Sequence, residues 1–234
     1  MHTLKYIISI LLFFIFTDGF SQEQQSSEVK KDTIIYKTGY GFRVGIDISK
    51  PIKRIFDKSY KGLELVADYR ISKNWYIATE IGIEEQTNAE DYTNSTAKGK
   101  YIRIGTNYNV YNNWLDMNNE IFLGLRYGFS AFNQTLNSYT PNVNNTYFPA
   151  KTITTPQMAT GLTAHWTEFS LGMKAEILKN IFIGMHVSYK IMLYVKDPPN
   201  FKSLFVPGFN RVFVNNTGFG FNYTISYLIP FVKK

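Results

Sequence analysis

His186-Val187-Ser188 sets an imidazole and a hydroxyl two residues apart, which on a strand is the same face. A histidine that takes the proton of a serine is the base–nucleophile pair of acyl hydrolases. Glu168 and Lys190 join them if the segments flanking Leu178–Asn180 pair as a hairpin. The plainer reading is a histidine satisfied inside a polar network, and it is preferred because nothing else completes a catalytic set. The sequence holds no glycine-rich phosphate loop and no His/Cys/Asp cluster at metal-ligand spacing. No catalytic residue, metal or cofactor is therefore assigned, with His186, Ser188 and Glu168 kept as the enzymatic alternative. The remaining chemistry lies in charges at regular positions: Arg43, Asp47, Glu64, Asp68, Arg70, Glu80, Glu84, Arg103, Arg126, Glu168, Lys174, Glu176 and Lys190.

The segments that carry these charges share a period of two. In the first, Tyr40, Phe42, Val44, Ile46 and Ile48 alternate with Gly41, Arg43, Gly45, Asp47 and Ser49. Seven more follow, near Leu63–Ile71, Trp75–Glu84, Ile102–Val110, Ile121–Ser130, Glu168–Ile177, Ile181–Leu193 and Phe219–Phe231. Strict alternation over such spans predicts strands with one apolar and one polar face. Their length suits a membrane crossing, for which about 9–11 tilted residues are needed. The predicted fold is all-β: an eight-stranded antiparallel transmembrane β-barrel.

Volume decides which face points out. The interior of an eight-stranded barrel is just filled by side chains, and roughly 40 residues on the apolar faces exceed it. The polar faces carry glycines such as Gly41, Gly45, Gly105, Gly128 and Gly220, which suit a crowded interior. The charges named above therefore face the lumen, where both signs nearly cancel. Confined charges must pair to offset desolvation, which predicts a plugged lumen rather than a water-filled pore. A narrow channel is the remaining alternative.

Two turns share a form, Ile71-Ser72-Lys73-Asn74-Trp75 and Ile177-Leu178-Lys179-Asn180-Ile181. Three-residue loops need a left-handed residue, and asparagine tolerates that conformation. Carried outward, the second register sets Glu168 opposite Lys190. Longer connections are expected near Lys50–Tyr60, Gln86–Lys98, Asn133–Thr163 and Lys196–Asn216, and barrels of this kind place long loops outside the cell. The net charge of +7 is concentrated in the first of them. Lys50, Lys53, Arg54, Lys58 and Lys61 are expected to contact outer-membrane lipid, including lipopolysaccharide phosphates. The fourth, rich in Phe201, Phe205, Phe209 and Phe213, is read either as an upward extension of the last strand packed on Asn133–Thr163 or as a partner surface.

The N-terminus has a basic start, a short apolar run from Tyr6 to Phe16 and small residues before Gln22, as a secretory signal peptide does. Residues 1–21 are read as that signal, 22–38 as a flexible lead and 39–234 as the barrel. The chain has no cysteine, hence neither a disulfide scaffold nor a lipoprotein-type anchor. Secretion and the lack of a basic, aromatic-interleaved face exclude nucleic acid as a partner.

The stretches Tyr40–Pro51 (YGFRVGIDISKP), Lys61–Glu84, Lys100–Trp114 and Glu120–Leu136 (EIFLGLRYGFSAFNQTL) resemble an uncharacterised family of Bacteroidota outer-membrane barrels. More loosely, the layout is similar to OmpA- and OmpX-type small barrels. The resemblance implies a bacterial outer-membrane location and a plugged, charged interior, and assigns no activity. His186-Val187-Ser188 also resembles the His-x-Ser element of outer-membrane lipid-A deacylases. There the pair faces lipid, whereas this register turns both residues inward. The function expected is non-enzymatic: surface loops that serve envelope structure or bind an unknown surface or periplasmic protein. A lipid-A or phospholipid acyl hydrolase is the second reading.

Overall fold

A computed structural model describes residues 39–112, 118–141 and 151–233. The expected signal peptide and lead, residues 1–38, lie outside the described residues. Eight strands form a closed antiparallel ring: β1 (Gly39–Asp47), β2 (Tyr60–Arg70), β3 (Trp75–Ala89), β4 (Thr93–Asn109), β5 (Glu120–Tyr139), β6 (Gln157–Leu178), β7 (Ile181–Val195) and β10 (Thr217–Lys233). One row of paired residues runs Phe42, Tyr69, Ile77, Thr106, Leu125, Phe169, Tyr189, Phe219. It would re-enter β1 at position 52, ten residues beyond its start. That stagger tilts the strands, as closure of so small a barrel requires.

Burial follows the alternation. Leu65, Ile81, Ile104, Leu125, Phe169, Val187 and Phe221 are exposed, whereas Glu64, Glu80, Arg103, Arg126, Glu168, Ser188 and Asn222 are buried. The exterior is an apolar belt and the interior is polar. Large interior side chains lie over neighbouring glycines. Trp166 pairs with Gly128, and a Cβ at Gly128 would stand 2.1 Å from the indole.

Short turns close one end of the ring. At Lys179–Asn180 a bulge between Glu176 and Leu178 lets Asn180 adopt φ 66°, and Glu168 pairs with Lys190. The Ser72–Asn74 turn differs, because Asn74 is not left-handed. Its carbonyl accepts the Asn109 N–H at 2.8 Å, and Arg70 clasps the carbonyls of Ser72 and Lys73, which holds the loop open.

At the other end two of the expected loops contain much strand. The β3–β4 hairpin continues to Ala89 and Thr93, so Gln86–Lys98 is not a loop. Polar pairs such as Thr87–Thr96, whose hydroxyls lie 2.9 Å apart, erase the hydropathy signal without ending the ladder. Likewise β5 runs to Tyr139 and β6 starts at Gln157, within the segment Asn133–Thr163.

The first connection carries a helix, α1 (Ser49–Phe56), and interrupts the wall. Pairing of β1 stops at Ile46 on the β2 side and at Asp47 on the β10 side. Continued in register, Pro51 would stand opposite Tyr60 and Gly220. Proline has no N–H for a ladder but is tolerated in the first turn of a helix. The chain therefore leaves the sheet, and α1 packs against both β2 and β10. Arg54 Nη1 caps the Tyr60 carbonyl at 3.0 Å, and Asn210 Nδ2 caps that of Phe219 at 3.2 Å.

The segment 196–216 turns inward. It forms a small hairpin, β8 (Phe205–Val206) and β9 (Asn210–Arg211). Phe205, Val206 and Phe209 are buried, and Val206 and Phe209 pack with Tyr101, Phe132, Leu162 and Trp166. The expected upward extension of the last strand is thus corrected, because β10 begins only at Thr217. Contact with the Asn133–Thr163 region does exist, through Gln134 to the backbone of Lys202 and Leu204 at 3.0 Å each. Burial also removes these residues from any partner surface. Only Phe213 and Val214 of this segment's large apolar residues remain exposed.

The fit of Trp166 is testable. Gly128→Val should lower stability by about 1–3 kcal/mol through overpacking, read as an earlier urea midpoint of the refolded barrel in detergent. An unchanged midpoint would mean that the indole has room to move.

Candidate functional site: the charged interior

Alternation on eight strands brings charges from distant parts of the chain onto one axis. Arg103, on β4, reaches three other strands. Its guanidinium lies 2.6 Å from Glu64 on β2, 2.7 Å from Glu80 on β3 and 3.4 Å from Glu168 on β6. Arg126 Nε lies 3.0 Å from Glu80, and its Nη1 donates to Ser170 Oγ at 2.5 Å. Lys190 stands 3.4 Å from Glu168, which also accepts the Trp166 indole N–H at 2.6 Å. Tyr101 donates to Glu64.

A second cluster lies nearer the turn end. Arg43 binds Asp68 through Nη2 at 2.7 Å and Nε at 2.9 Å, and reaches Glu120 at 2.8 Å. Lys174 pairs with Asp68 from the other side. The Arg43 guanidinium also lies 4.8 Å from the Phe182 ring centroid, so one face of the cation meets an aromatic surface.

Glu84 forms a third centre, at the loop end. Its Oε1 accepts Lys50 at 2.5 Å and the Tyr60 hydroxyl at 2.8 Å, while Oε2 accepts the Gly208 N–H at 2.8 Å. Lys190 Nζ donates to the Gly208 carbonyl at 2.5 Å. Gly208 has φ +83°, and a Cβ there would meet the Tyr101 ring at 2.6 Å. One carboxylate therefore holds the helix, the wall and the inserted hairpin together.

Not every expected lumen charge joins these clusters. Arg70 is spent on its own turn. Glu176 accepts the Asn180 N–H at 2.8 Å and Asn118 Nδ2 at 3.2 Å. Asp47 accepts Asn222 Nδ2 at 2.5 Å and the Ser49 N–H at 2.8 Å, which fixes the entry to α1. Sequence reasoning missed Glu120, which continues the inward phase of Phe122 and Gly124, and placed Lys50 outside. Lys50 instead passes through the gap in the wall, and its side chain is 12% exposed. Its neighbours also have partners in the protein. Lys53 Nζ sits 3.9 Å from the Tyr60 ring centroid, Arg54 binds the Lys58 and Tyr60 carbonyls, and Lys61 pairs with Glu85 at 2.9 Å. Lys58 stays exposed.

His186 and Ser188 both point inward, 6% and 2% exposed. Ser188 Oγ and His186 Nε2 have no hydrogen-bond partner, so the base–nucleophile contact is absent. Pocket space beside His186 is about 20 Å³, bounded by Glu80, Phe122 and Arg126. The other histidine of the barrel, His165, faces outward. Its Nδ1 is 2.5 Å from the Tyr127 hydroxyl, and it packs among Phe129 and Tyr194. Among the described residues no group of His, Asp or Glu is arranged to hold a metal.

A closed eight-stranded antiparallel ring with its charges inside and an apolar exterior defines the class of small, filled β-barrels. Residues 3–234 match the family described as a domain of unknown function (DUF6048), and the chain belongs to that family. Among solved structures it is similar to the crystal structure of Ail, the attachment invasion locus protein of Yersinia pestis. The identity is 9%, with 82% of this chain and 98% of that chain covered and a TM-score of 0.43. No curated protein matches the chain.

Two outcomes follow. Arg103→Met strands three buried carboxylates and should cost about 3–5 kcal/mol of unfolding free energy, measured by urea titration in detergent. Glu84→Gln weakens the grip on Lys50 and Gly208. It should speed proteolysis within 196–216 while the strands remain resistant, and an unaltered digestion pattern would show that apolar packing alone holds the hairpin.

Proposed function

We propose that this chain is an integral outer-membrane β-barrel without enzymatic activity, whose loop end faces outside and serves envelope structure or partner binding. The observation that carries this is the apolar belt: on all eight strands the outward positions are mostly Ile, Leu, Val, Phe, Tyr or Met, interspersed with small neutral residues such as Ala67, Thr79, Thr106 and Thr167, with no charge between the two rims. Such a surface is unstable in water and matched to hydrocarbon, and a closed ring leaves no unpaired edge across most of its height. Short turns at one end and longer structure at the other set the orientation by the same rule.

A non-enzymatic role is supported by the burial of His186 and Ser188 beneath the hairpin and by the missing hydrogen bond between them. The three charge clusters and the inserted Phe205–Phe209 segment support a closed lumen. The exposed α1 face (Ile52, Ile55 and Phe56) and the extended β3–β4 and β5–β6 hairpins are the surfaces left for partners.

The test is expression in a Gram-negative host. The protein should stay with outer membranes after carbonate and urea extraction, and should run faster on gels unheated than boiled. Release into the soluble fraction would refute the reading. The purified barrel should give no stable conductance steps in planar bilayers.

A further inference from the structure

The cations expected to meet lipid in the first loop are mostly engaged by the protein, and the outer wall carries two more, Lys98 and Lys100. A groove of about 760 Å³ crosses the outside of β2–β6 just above the apolar belt. Two rows of paired residues form it. The lower runs Leu63, Ile83, Lys100, Ala131, Thr163, and the upper runs Lys61, Glu85, Lys98, Asn133. The groove is concave because Ala131 is the only outward side chain between Lys100 and Thr163, and because a bulge at Phe132/Gln134 bends the wall. Gly161, with φ +67°, leaves open space beside that bulge.

Charge and polarity are arranged unevenly. Glu85 is shared by Lys61 at 2.9 Å and Lys98 at 3.3 Å, so with Lys100 the groove holds three ammonium groups to one outward carboxylate. Lys100 makes no ion pair among the described residues, and lies directly beside Ile83 in its row. Below it, Leu65, Ile81 and Ile102 continue the apolar face without a break.

We infer that this groove is a binding site for a phosphate-bearing lipid of the surrounding leaflet, with the phosphate on Lys98 and Lys100 and an acyl chain descending past Leu63 and Ile83. The occupant follows from the excess positive charge, which selects an anion. The unbroken run of apolar wall below adds that the anion carries a chain. This site rests on the membrane reading above, and lies apart from the α1 cations.

The test uses folded barrel in neutral detergent, its fold verified by gel mobility, mixed with equal phosphatidylglycerol and phosphatidylcholine and examined by native mass spectrometry. The natural chain should retain phosphatidylglycerol selectively. Each lysine near a lipid surface contributes about fivefold, so Lys100→Gln should lower the preference about fivefold and a Lys98→Gln/Lys100→Gln pair about 25-fold. Arginine at both positions should restore it, Lys53→Gln on α1 should leave it unchanged, and excess inorganic phosphate should not displace the lipid. Equal retention of the two lipids by the natural chain, or an equal loss in Lys53→Gln, would overturn the site while leaving the barrel reading intact. Displacement by inorganic phosphate would show an anion site without a lipid and overturn it as well.

Discussion

The interior depends on Arg103. A guanidinium buried among Glu64, Glu80 and Glu168 ties four strands that are far apart in sequence to one point. Its burial is tolerable only because both terminal nitrogens are met by carboxylates, and the carboxylates only because other cations share them. Neutrality of the whole lumen follows from that local requirement. Lys50 and Glu120, both unforeseen, add one charge of each sign and leave the balance as it was.

Above this network the chemistry changes. Tyr101, Phe132, Leu162, Trp166, Val206 and Phe209 form an apolar core inside the mouth, so a barrel whose outside is hydrophobic also carries a conventional core at one end. Glu84 stands at the boundary, and its three bonds reach α1, β2 and the inserted hairpin. A change in any one of these elements is therefore felt by the other two.

The strands and their faces were legible in the sequence because a single physical rule, alternation between two unlike surroundings, acts over nine or more residues at a time. The Glu168–Lys190 register was legible because the turn at Lys179–Asn180 allows few geometries. Elsewhere the signal failed for identifiable reasons. Thr87, Asn88 and Ser95 are polar on both faces, so strand outside the belt reads as loop. Pro51 marks the end of β1, yet nothing local indicates that Lys50 will thread the resulting gap. Phe205 and Phe209 are apolar whether they rise above the barrel or sink into it, and only the space left over Gly208 and Tyr101 decides. The wall groove was invisible because Lys61 and Glu85 are remote in the chain from Lys98 and Lys100 and meet them only through the ladder.

The interruption at Pro51 has a mechanical meaning. A ring of hydrogen bonds complete at every level resists deformation equally in all directions. This one is complete at the turn end and missing a stave at the mouth, between β2 and β10, where a short helix and two side-chain caps replace the ladder. Opposite lie β5 and β6, the longest pair at 20 and 22 residues. The mouth is therefore compliant on one flank and stiff on the other, and thermal breathing has a preferred direction. Any load applied to the loops will be absorbed at the helix first.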